Sequence, residues 1–188
     1  MTANFVASVF IATSLDGFIA GENGELDWLT DENDTLGETG YDEFFASVDA
    51  LVIGRKTFET VLGFGEWPYA GKRVLVLSRT LGADGGPGAA GTPVAPNTTV
   101  HADLDGVVAT LEREGVKRVY VDGGQTIRAF LARGLISEMT LTRAPVLLGR
   151  GTPLFGPLDE RIHLRLLATR ELGAGFTQAS YEVLSADQ

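Results

Sequence analysis

Residues 73–79 read Arg73-Val74-Leu75-Val76-Leu77-Ser78-Arg79, and this stretch decides the fold class. Val74 to Leu77 is apolar throughout and lacks the polar alternation of a strand with one face in water, so we expect both faces to be buried. Strands of this kind are typical of a parallel sheet covered by helices on each side. The Ser-Arg pair ends the strand at the edge where such sheets bind their ligands.

Further apolar runs predict four more strands of this sheet. They are Phe5 to Ala12, Ala50 to Ile53, Arg118 to Val121 and Met139 to Leu148. Segments with apolar residues at helical spacing lie between them. These are Tyr41 to Val48, Lys56 to Leu62, Leu104 to Glu114 and Thr126 to Ala132. The alternation predicts an α/β fold of three layers, with a mainly parallel central sheet and helices on both faces.

The carboxyl-terminal part breaks this alternation. Ile162 to Arg170 and Phe176 to Leu184 have strand-like composition, and Glu171 to Gly175, which contains two glycines, joins them without a helix. We therefore expect an antiparallel hairpin at the sheet edge. Gly82 to Pro96, rich in Gly, Ala and Pro, is predicted to be a surface loop. Residues 1–188 are predicted to form one domain.

Charge and composition exclude several classes of function. The 15 Lys and Arg and the 25 Asp and Glu give a net charge of −10, which argues against binding to nucleic acid or anionic membranes. Residues 1–54 hold eleven of the acids and no Lys or Arg, so a phosphate-bearing ligand should be held by later residues. The absence of cysteine excludes a disulfide framework and zinc–thiolate sites, and two histidines make a histidine-rich metal site unexpected.

No apolar stretch approaches the roughly 20 residues of a membrane helix. Phe5 to Ala12 is too short for one and lacks the basic flank of a signal peptide. We therefore expect a cytoplasmic protein.

Three predicted strands end in turns suited to phosphate, at Gly54-Arg55-Lys56-Thr57, Leu77-Ser78-Arg79 and Gly123-Gly124-Gln125-Thr126. Glycine allows close backbone approach, helix-start N–H groups and Thr hydroxyls donate to an anion, and Arg and Lys supply positive charge. Taken alone, the sequence of each turn is also explained by an ordinary turn after a strand, with no bound ligand. Three turns at one sheet edge favour a dinucleotide site, which must be of another kind than the Rossmann and P-loop sites because neither glycine motif occurs.

These turns and several further motifs resemble the dihydrofolate reductase superfamily. The motifs, in order, are Ala12-Thr13-Ser14-Leu15-Asp16-Gly17-Phe18-Ile19-Ala20, Asp27-Trp28-Leu29, Ile53 to Glu59, Leu77-Ser78-Arg79, Val121-Asp122-Gly123-Gly124, Pro145 to Gly151 and Pro153-Leu154-Phe155. The chain is most similar to the bacterial branch that includes the reductase domain of riboflavin-pathway deaminase-reductases, over nearly its whole length. The resemblance implies a dihydrofolate reductase-like fold and an NADPH-dependent reductase.

The resemblance also implies a cofactor site. Ala12 and Ile19 would contact the nicotinamide end, with Ile19 on a mobile loop, and the two glycine turns would hold the pyrophosphate. Arg55, Ser78 and Arg79 would bind the 2′-phosphate, and the paired glycines would carry a cis peptide. The implied cofactor residues are Ala12, Ile19, Gly54, Arg55, Lys56, Thr57, Leu77, Ser78, Arg79, Gly123, Gly124, Gln125 and Thr126.

A carboxylate after the tryptophan motif is the implied proton donor. Counting forward from Trp28 places it at Asn33, whereas counting back from Gly54 places it at Glu38, because the chain has extra residues between these motifs. The candidates are Asp31, Glu32, Asp34 and Glu38, and Asp31 is preferred because it lies closest after Trp28. That none of the four is catalytic remains open.

The substrate side is predicted to be aromatic and acidic. Trp28, Tyr41 and Phe45 form a candidate wall for a planar substrate, together with Phe44, although core packing also explains the phenylalanines. Asp122 is the acidic residue that the resemblance places before the paired glycines, on the substrate side. The lysine typical of riboflavin-pathway reductases is replaced by Phe10, and the many acids disfavour a phosphorylated substrate, so a neutral or cationic heterocycle is expected.

We therefore expect an NADPH-dependent reductase acting on a pterin-like or other small heterocyclic or imine substrate, with no metal. A 5-amino-6-(5-phosphoribosylamino)uracil reductase of riboflavin biosynthesis and a non-catalytic nucleotide-binding protein are the alternatives. A homodimer is expected because the terminal hairpin leaves unpaired backbone groups at an edge. Val146-Leu147-Leu148 and Pro153-Leu154-Phe155 would offer apolar surface beside that edge.

Overall fold

The computed structural model describes residues 3–30, 36–81 and 95–184. The strands are β1 (Val6–Thr13), β2 (Phe18–Ala20), β3 (Ala50–Gly54), β4 (Arg73–Leu77), β5 (Thr98–His101), β6 (Arg118–Asp122), β7 (Ile136–Arg143), β8 (Thr152–Pro153), β9 (Leu164–Glu171) and β10 (Thr177–Val183). The helices are α1 (Asp27–Thr30), α2 (Tyr41–Ser47), α3 (Arg55–Leu62), α4 (Leu104–Arg113) and α5 (Gly124–Ala132).

Eight of these strands form one sheet in the order β5-β4-β3-β6-β1-β7-β10-β9. The six from β5 to β7 are parallel to their neighbours, and β10 runs antiparallel to both β7 and β9. The α/β fold with a terminal antiparallel hairpin is therefore confirmed. Because β4, β3 and β6 are neighbours in the sheet, the three phosphate-suited turns emerge side by side.

Two apolar layers cover the faces of the sheet. In β4, Leu75 packs with residues of α4 and α5, whereas Val74 and Val76 pack on the other face with residues of α3. The burial of this strand on both faces confirms the interpretation of its uninterrupted apolar run. Leu154 belongs to the first layer and is fully buried, so the prediction that it contributes apolar surface is wrong.

Several element boundaries differ from the prediction. Strand β7 was expected at Met139 to Leu148, but it covers Ile136–Arg143 because the chain turns away at Ala144, just before a proline that has no N–H for the ladder. Strand β5 was not predicted because it has only four residues, which are mostly polar and half-buried. The two-stranded β2–β8 pair and the four-residue helix α1 are likewise too short to give a periodic signal.

No helix in the described parts of the chain is long and apolar enough to cross a membrane. The predicted loop Gly82 to Pro96 lies outside the described residues, except for its last two positions.

Candidate active site

A cleft of about 1850 Å³ opens at the carboxyl ends of the parallel strands. Its walls include all three predicted turns, 54–57, 77–79 and 123–126. Ala12 at the end of β1 and Ile19 in β2 line the same cleft. The volume exceeds the roughly 300–1000 Å³ of a single small-molecule pocket, so the cleft has room for two ligands.

The two glycine turns interlock through their threonines. A β-carbon on Gly54 would lie 2.9 Å from Thr126 Oγ1, and one on Gly123 would lie 2.7 Å from Thr57 Oγ1. Both turns have the sequence Gly-x-x-Thr, and the threonine of each one occupies the space beside the glycine of the other. The glycines are therefore required by packing within the protein.

Gly123 and Gly124 also carry separate constraints. Gly123 has a φ of +92°, which L side chains rarely adopt, and a β-carbon on Gly124 would lie 2.9 Å from the carbonyl oxygen of Pro153. Ile19 Cδ1 would be 3.2 Å from that β-carbon, so the segment that carries Ile19 rests on this turn. All peptide bonds of the described residues are trans, so the expected cis bond between Gly123 and Gly124 is wrong; the positive φ of Gly123 makes the turn instead.

Helices α3 and α5 begin at these turns with glycine N-caps, which have no side chain to accept the first-turn N–H groups. Their N-cap residues are Gly54 and Gly123, whereas α4 is capped by Asp103, whose Oδ1 accepts the Gly106 N–H at 2.8 Å. The first-turn amides of α3 and α5 can therefore donate to an external anion.

Cationic side chains stand at the same end of the cleft. Arg55, Lys56 and Arg79 line it. Arg55 is paired with Glu59 at 3.0 Å, whereas none of the ion pairs formed by the described residues involves Lys56 or Arg79. Ser78 Oγ accepts the Leu81 N–H at 3.1 Å and so shapes the turn that presents Arg79.

Asp122 ends β6 in the wall of the cleft, close to three tyrosines. Burial raises the pKa of its carboxyl to about 6, partly offset by the Gly123 N–H, which donates to Oδ1 at 2.7 Å. Burial, and next the Asp122 charge, raise the pKa of Tyr41 to about 12 and also raise the pKa values of Tyr69 and Tyr120. The tyrosines therefore stay neutral at the pH values near 6 where the Asp122 carboxyl gains or loses its proton.

An aromatic layer supports this end of the cleft. The Phe10 ring stacks on Phe44 with centroids 5.0 Å apart and meets Tyr41 edge-on at 5.6 Å. The Tyr120 hydroxyl donates to the Phe10 carbonyl oxygen at 2.9 Å. Phe10, which stands where the resemblance implies a lysine, is thus part of an aromatic wall of the cleft.

The structure separates the predicted aromatic wall. Tyr41 lines the cleft, whereas Phe45 stacks behind it at 5.8 Å and lies beneath Lys72 Nζ. Trp28 packs in a small cluster that includes Leu36 and Phe176, and is not one of the lining residues. Of these three residues Tyr41 is the one that lines the cleft, and the substrate contacts expected of all three stay predictions.

Of the four acids considered as proton donors, Glu38 lines the cleft. Asp31, Glu32 and Asp34 lie outside the described residues.

The lining residues that sequence reasoning missed include four polar or aromatic ones that bear on the chemistry of the cleft: Tyr69, Tyr120, Thr142 and Arg170. Tyr120 had a usable signal, because it lies two residues before Asp122 in a strand and therefore shares its face. Tyr69 in a loop, and Thr142 and Arg170 in separate strands, gave no local pattern.

The family model described as RibD C-terminal domain matches residues 6–177. The chain belongs to this family. The chain is 34% identical to the uncharacterised Bacillus subtilis protein YwjB, over 88% of this chain and 91% of that protein. A candidate riboflavin biosynthesis protein from Shewanella sp. PV-4 has a crystal structure similar to this one, with a TM-score of 0.82, 37% identity and coverage of 96% of this chain and all of that one.

The fold is shared more widely. Dihydrofolate reductase from Enterococcus faecalis, solved in complex with NADP(H), has a TM-score of 0.64 at 18% identity. The alignment covers 98% of this chain and all of that one. At that identity the likeness concerns the fold, which is dihydrofolate reductase-like as expected.

Proposed function

We propose that this protein is an NADPH-dependent reductase acting on a planar nitrogen heterocycle or imine. One observation carries the proposal: a single cleft joins three turns suited to phosphate groups to a carboxyl with a pKa of about 6, that of Asp122. Family membership supports a reductase of this general type.

The residues fit a phosphorylated dinucleotide. The glycine-capped first turns of α3 and α5 offer N–H donors for a pyrophosphate. Arg79 and Lys56, which form no ion pair with other described residues, offer positive charge for a 2′-phosphate. Ala12 and Ile19 line the cleft on the other side of the interlocked turns, where a nicotinamide ring would be held. The bound cofactor would supply the hydride.

Reduction of a C=N bond also needs a proton, and Asp122 is suited to deliver it. Its carboxyl keeps a proton near pH 6, and the neutral tyrosines beside it add no competing charge. This assignment differs from the acids after Trp28 that the resemblance implied, and of those Glu38 is the one known to line the cleft. Tyr41, backed by Phe10 and Phe45, offers an aromatic surface against which a flat ring can pack.

A pyrimidine reductase of riboflavin biosynthesis is the second candidate. It is supported by the family match and by the description of the Shewanella sp. PV-4 relative. A non-catalytic nucleotide-binding protein would keep the turns but have no use for a proton donor in the cleft.

The test is an acceptor screen that follows oxidation of NADPH by its absorbance. Pterins, imines and aminopyrimidines are offered to the parent protein and to Asp122→Asn. We expect turnover of at least one heterocycle by the parent and a loss of roughly 100-fold or more in Asp122→Asn, with NADPH binding retained. NADPH binding without turnover of any acceptor would favour the non-catalytic alternative.

A further inference from the structure

One cross-strand row of residues crosses the cleft floor toward the edge of the sheet. Ala12 in β1 is paired with Thr142 in β7, Thr142 with Gln178 in β10, and Gln178 with Arg170 in β9. Directly paired residues share a face of the sheet. Ala12, Thr142 and Arg170 all line the cleft.

A hydrogen-bond chain fixes this row. Gln178 Nε2 donates to Thr142 Oγ1 at 2.9 Å, and Arg170 Nε donates to Gln178 Oε1 at 2.8 Å. The carbonyl oxygen of Thr39 accepts from Gln178 Nε2 at 3.1 Å and from Arg170 Nη2 at 2.6 Å. Gln178 is buried and its amide is fully used, so it holds the Arg170 guanidinium in a defined plane.

The guanidinium keeps unused donor capacity. An arginine side chain has five N–H donors, and the acceptors among the described residues take two of them, from Nε and Nη2. None of the ion pairs formed by the described residues involves Arg170. The Nη1 group of this exposed residue is therefore available to a ligand in the cleft.

Arg170 is far from the cations at the cofactor end. Arg79 follows β4 and Lys56 follows β3, on one side of β1, whereas β9 lies at the opposite edge of the sheet. Between Ala12 and Arg170 there are three strand spacings of about 4.8 Å, or roughly 14 Å. A group bound by Arg170 would thus be at the far end of a ligand whose ring lies near Ala12.

We propose that Arg170 is the anion-binding residue of the substrate site, so that the substrate carries a carboxylate or phosphate on a tail remote from its reducible ring. The inference rests on the proposed function in placing that ring near Ala12. It departs from the expectation of a neutral or cationic substrate, which followed from the acid count of residues 1–54. That expectation did not include Arg170, because β9 is distant in sequence from the other cleft residues.

Matched ligand pairs test the proposal. A 10-alkylflavin and its carboxyalkyl analogue differ by a carboxylate at the end of the tail, and riboflavin and riboflavin 5′-phosphate differ by a phosphate at the end of the tail. All four are fluorescent, so their dissociation constants can be measured by quenching, with and without saturating NADP⁺. The variants are Arg170→Gln and the matched control Arg165→Gln, which removes the same charge from the same strand outside the cleft lining.

We expect the parent and Arg165→Gln to bind the anionic member of at least one pair roughly ten-fold more tightly than its neutral twin. In Arg170→Gln the dissociation constants of the anionic and neutral members should differ by no more than about two-fold. The dissociation constant of the neutral ligand should be unchanged. The pair that responds identifies the anion as carboxylate or phosphate.

Three results would overturn the proposal. These are no anion preference in the parent, no binding of any of the four ligands, and equal weakening of both members of a pair in Arg170→Gln, which would mean that Arg170 only holds Thr39. A separate NADPH titration distinguishes failure of the proposed function from failure of the Arg170 proposal. If NADPH does not bind but the Arg170-dependent preference persists, the cofactor assignment fails and the anion site stands.

Discussion

A β-carbon on Gly54 would lie 2.9 Å from the hydroxyl oxygen of Thr126, closer than β-carbons approach other atoms in folded proteins. The reciprocal contact, between Gly123 and Thr57, is closer still. The two turns that we assign to the pyrophosphate are therefore one packed unit. A substitution in one turn can therefore displace the other turn, without a substitution at the residue that contacts the ligand.

A double-mutant cycle tests this unit. Gly54→Ala should destabilise the protein by about 1–3 kcal/mol, because the added methyl group overpacks against Thr126. Thr126→Ala removes the opposing hydroxyl, so the double variant should lose less than the sum of the single losses, with a coupling of about 0.5–3 kcal/mol. Urea unfolding of the four proteins measures this coupling. Additive losses would show that the turns do not interlock.

The reciprocal pair should behave differently. At Gly123 the φ of +92° adds backbone strain of about 1–3 kcal/mol that is independent of the contact. Thr57→Ala should therefore restore only part of the stability lost in Gly123→Ala. Thr126→Ala, by contrast, should restore most of the stability lost in Gly54→Ala. Equal rescue in both pairs, measured by the same unfolding experiment, would contradict a strain specific to Gly123.

Arg79 should set the preference for a 2′-phosphate. A charge-assisted hydrogen bond contributes about 1.5–3 kcal/mol, so Arg79→Ala should lower the ratio of NADPH to NADH affinity by roughly ten-fold or more. NADH binding itself should change little. Arg113→Ala is the control, since Arg113 is an exposed arginine on α4 outside the cleft lining. An unchanged ratio in Arg79→Ala would remove Arg79 from the cofactor site.

Asp122 should give turnover a characteristic pH dependence. A proton donor with a pKa of about 6 loses its proton as pH rises, so kcat should fall through that value. The profile of Asp122→Asn should be low and flat. Amide variants of Asp31, Glu32, Asp34 and Glu38 are the comparison. If one of these amides, rather than Asp122→Asn, abolishes turnover, the proton donor is that acid.

The same group should affect stability in a defined direction. The pKa of Asp122 is raised in the folded protein from 3.8 to about 6, so its contribution to stability is complete below pH 3.8 and is lost as pH rises through about 6. Above pH 7, Asp122→Asn should therefore be more stable than the parent by about 1–3 kcal/mol. Thermal unfolding at pH 5 and pH 8 measures the effect. A less stable variant at pH 8 would show that the carboxylate has a favourable partner.

The sequence predicted the fold correctly in those segments where a regular spacing of apolar residues indicates which faces are buried. The apolar run of β4 and the helical spacing of α4 indicated the layers, because both faces of the sheet are covered. The glycine turns were recognisable because strand ends in parallel sheets meet at one edge. Local sequence patterns did not predict that Gln178 pairs with Thr142 on one side and with Arg170 on the other. These residues come from three strands whose order in the sheet is set by tertiary structure.

Residue roles were less predictable than residue positions. Trp28 and Phe45 were expected in the substrate wall, yet neither is among the residues that line the cleft. Phe45 stacks behind Tyr41, and Trp28 packs in a separate cluster, because an aromatic side chain gains as much from apolar neighbours within the protein as from a ligand. The raised pKa of Asp122 depends on its burial in the folded protein, and the three tyrosines whose pKa values its charge raises come from separate parts of the chain.

We propose a homodimer formed through β9. Leu166 and Leu167, in the part of this edge strand away from the cleft-lining Arg170, are 53% and 57% exposed and form an apolar surface next to unpaired backbone groups. Light scattering should give twice the 20.0 kDa chain mass for the parent and for Leu147→Glu, but the chain mass for Leu166→Glu. A monomeric parent would exclude the dimer, and dissociation by Leu147→Glu alone would place it on the other predicted surface.

The central claim is that the cleft between the interlocked turns and Arg79 is an NADPH site. Equilibrium titration of the parent protein with NADPH and with NADH, followed by energy transfer from tryptophan to the reduced nicotinamide, tests it most directly. The account predicts saturable binding of both, with NADPH bound roughly ten-fold or more tightly because of its 2′-phosphate. Equal affinities, or no binding of NADPH, would contradict it.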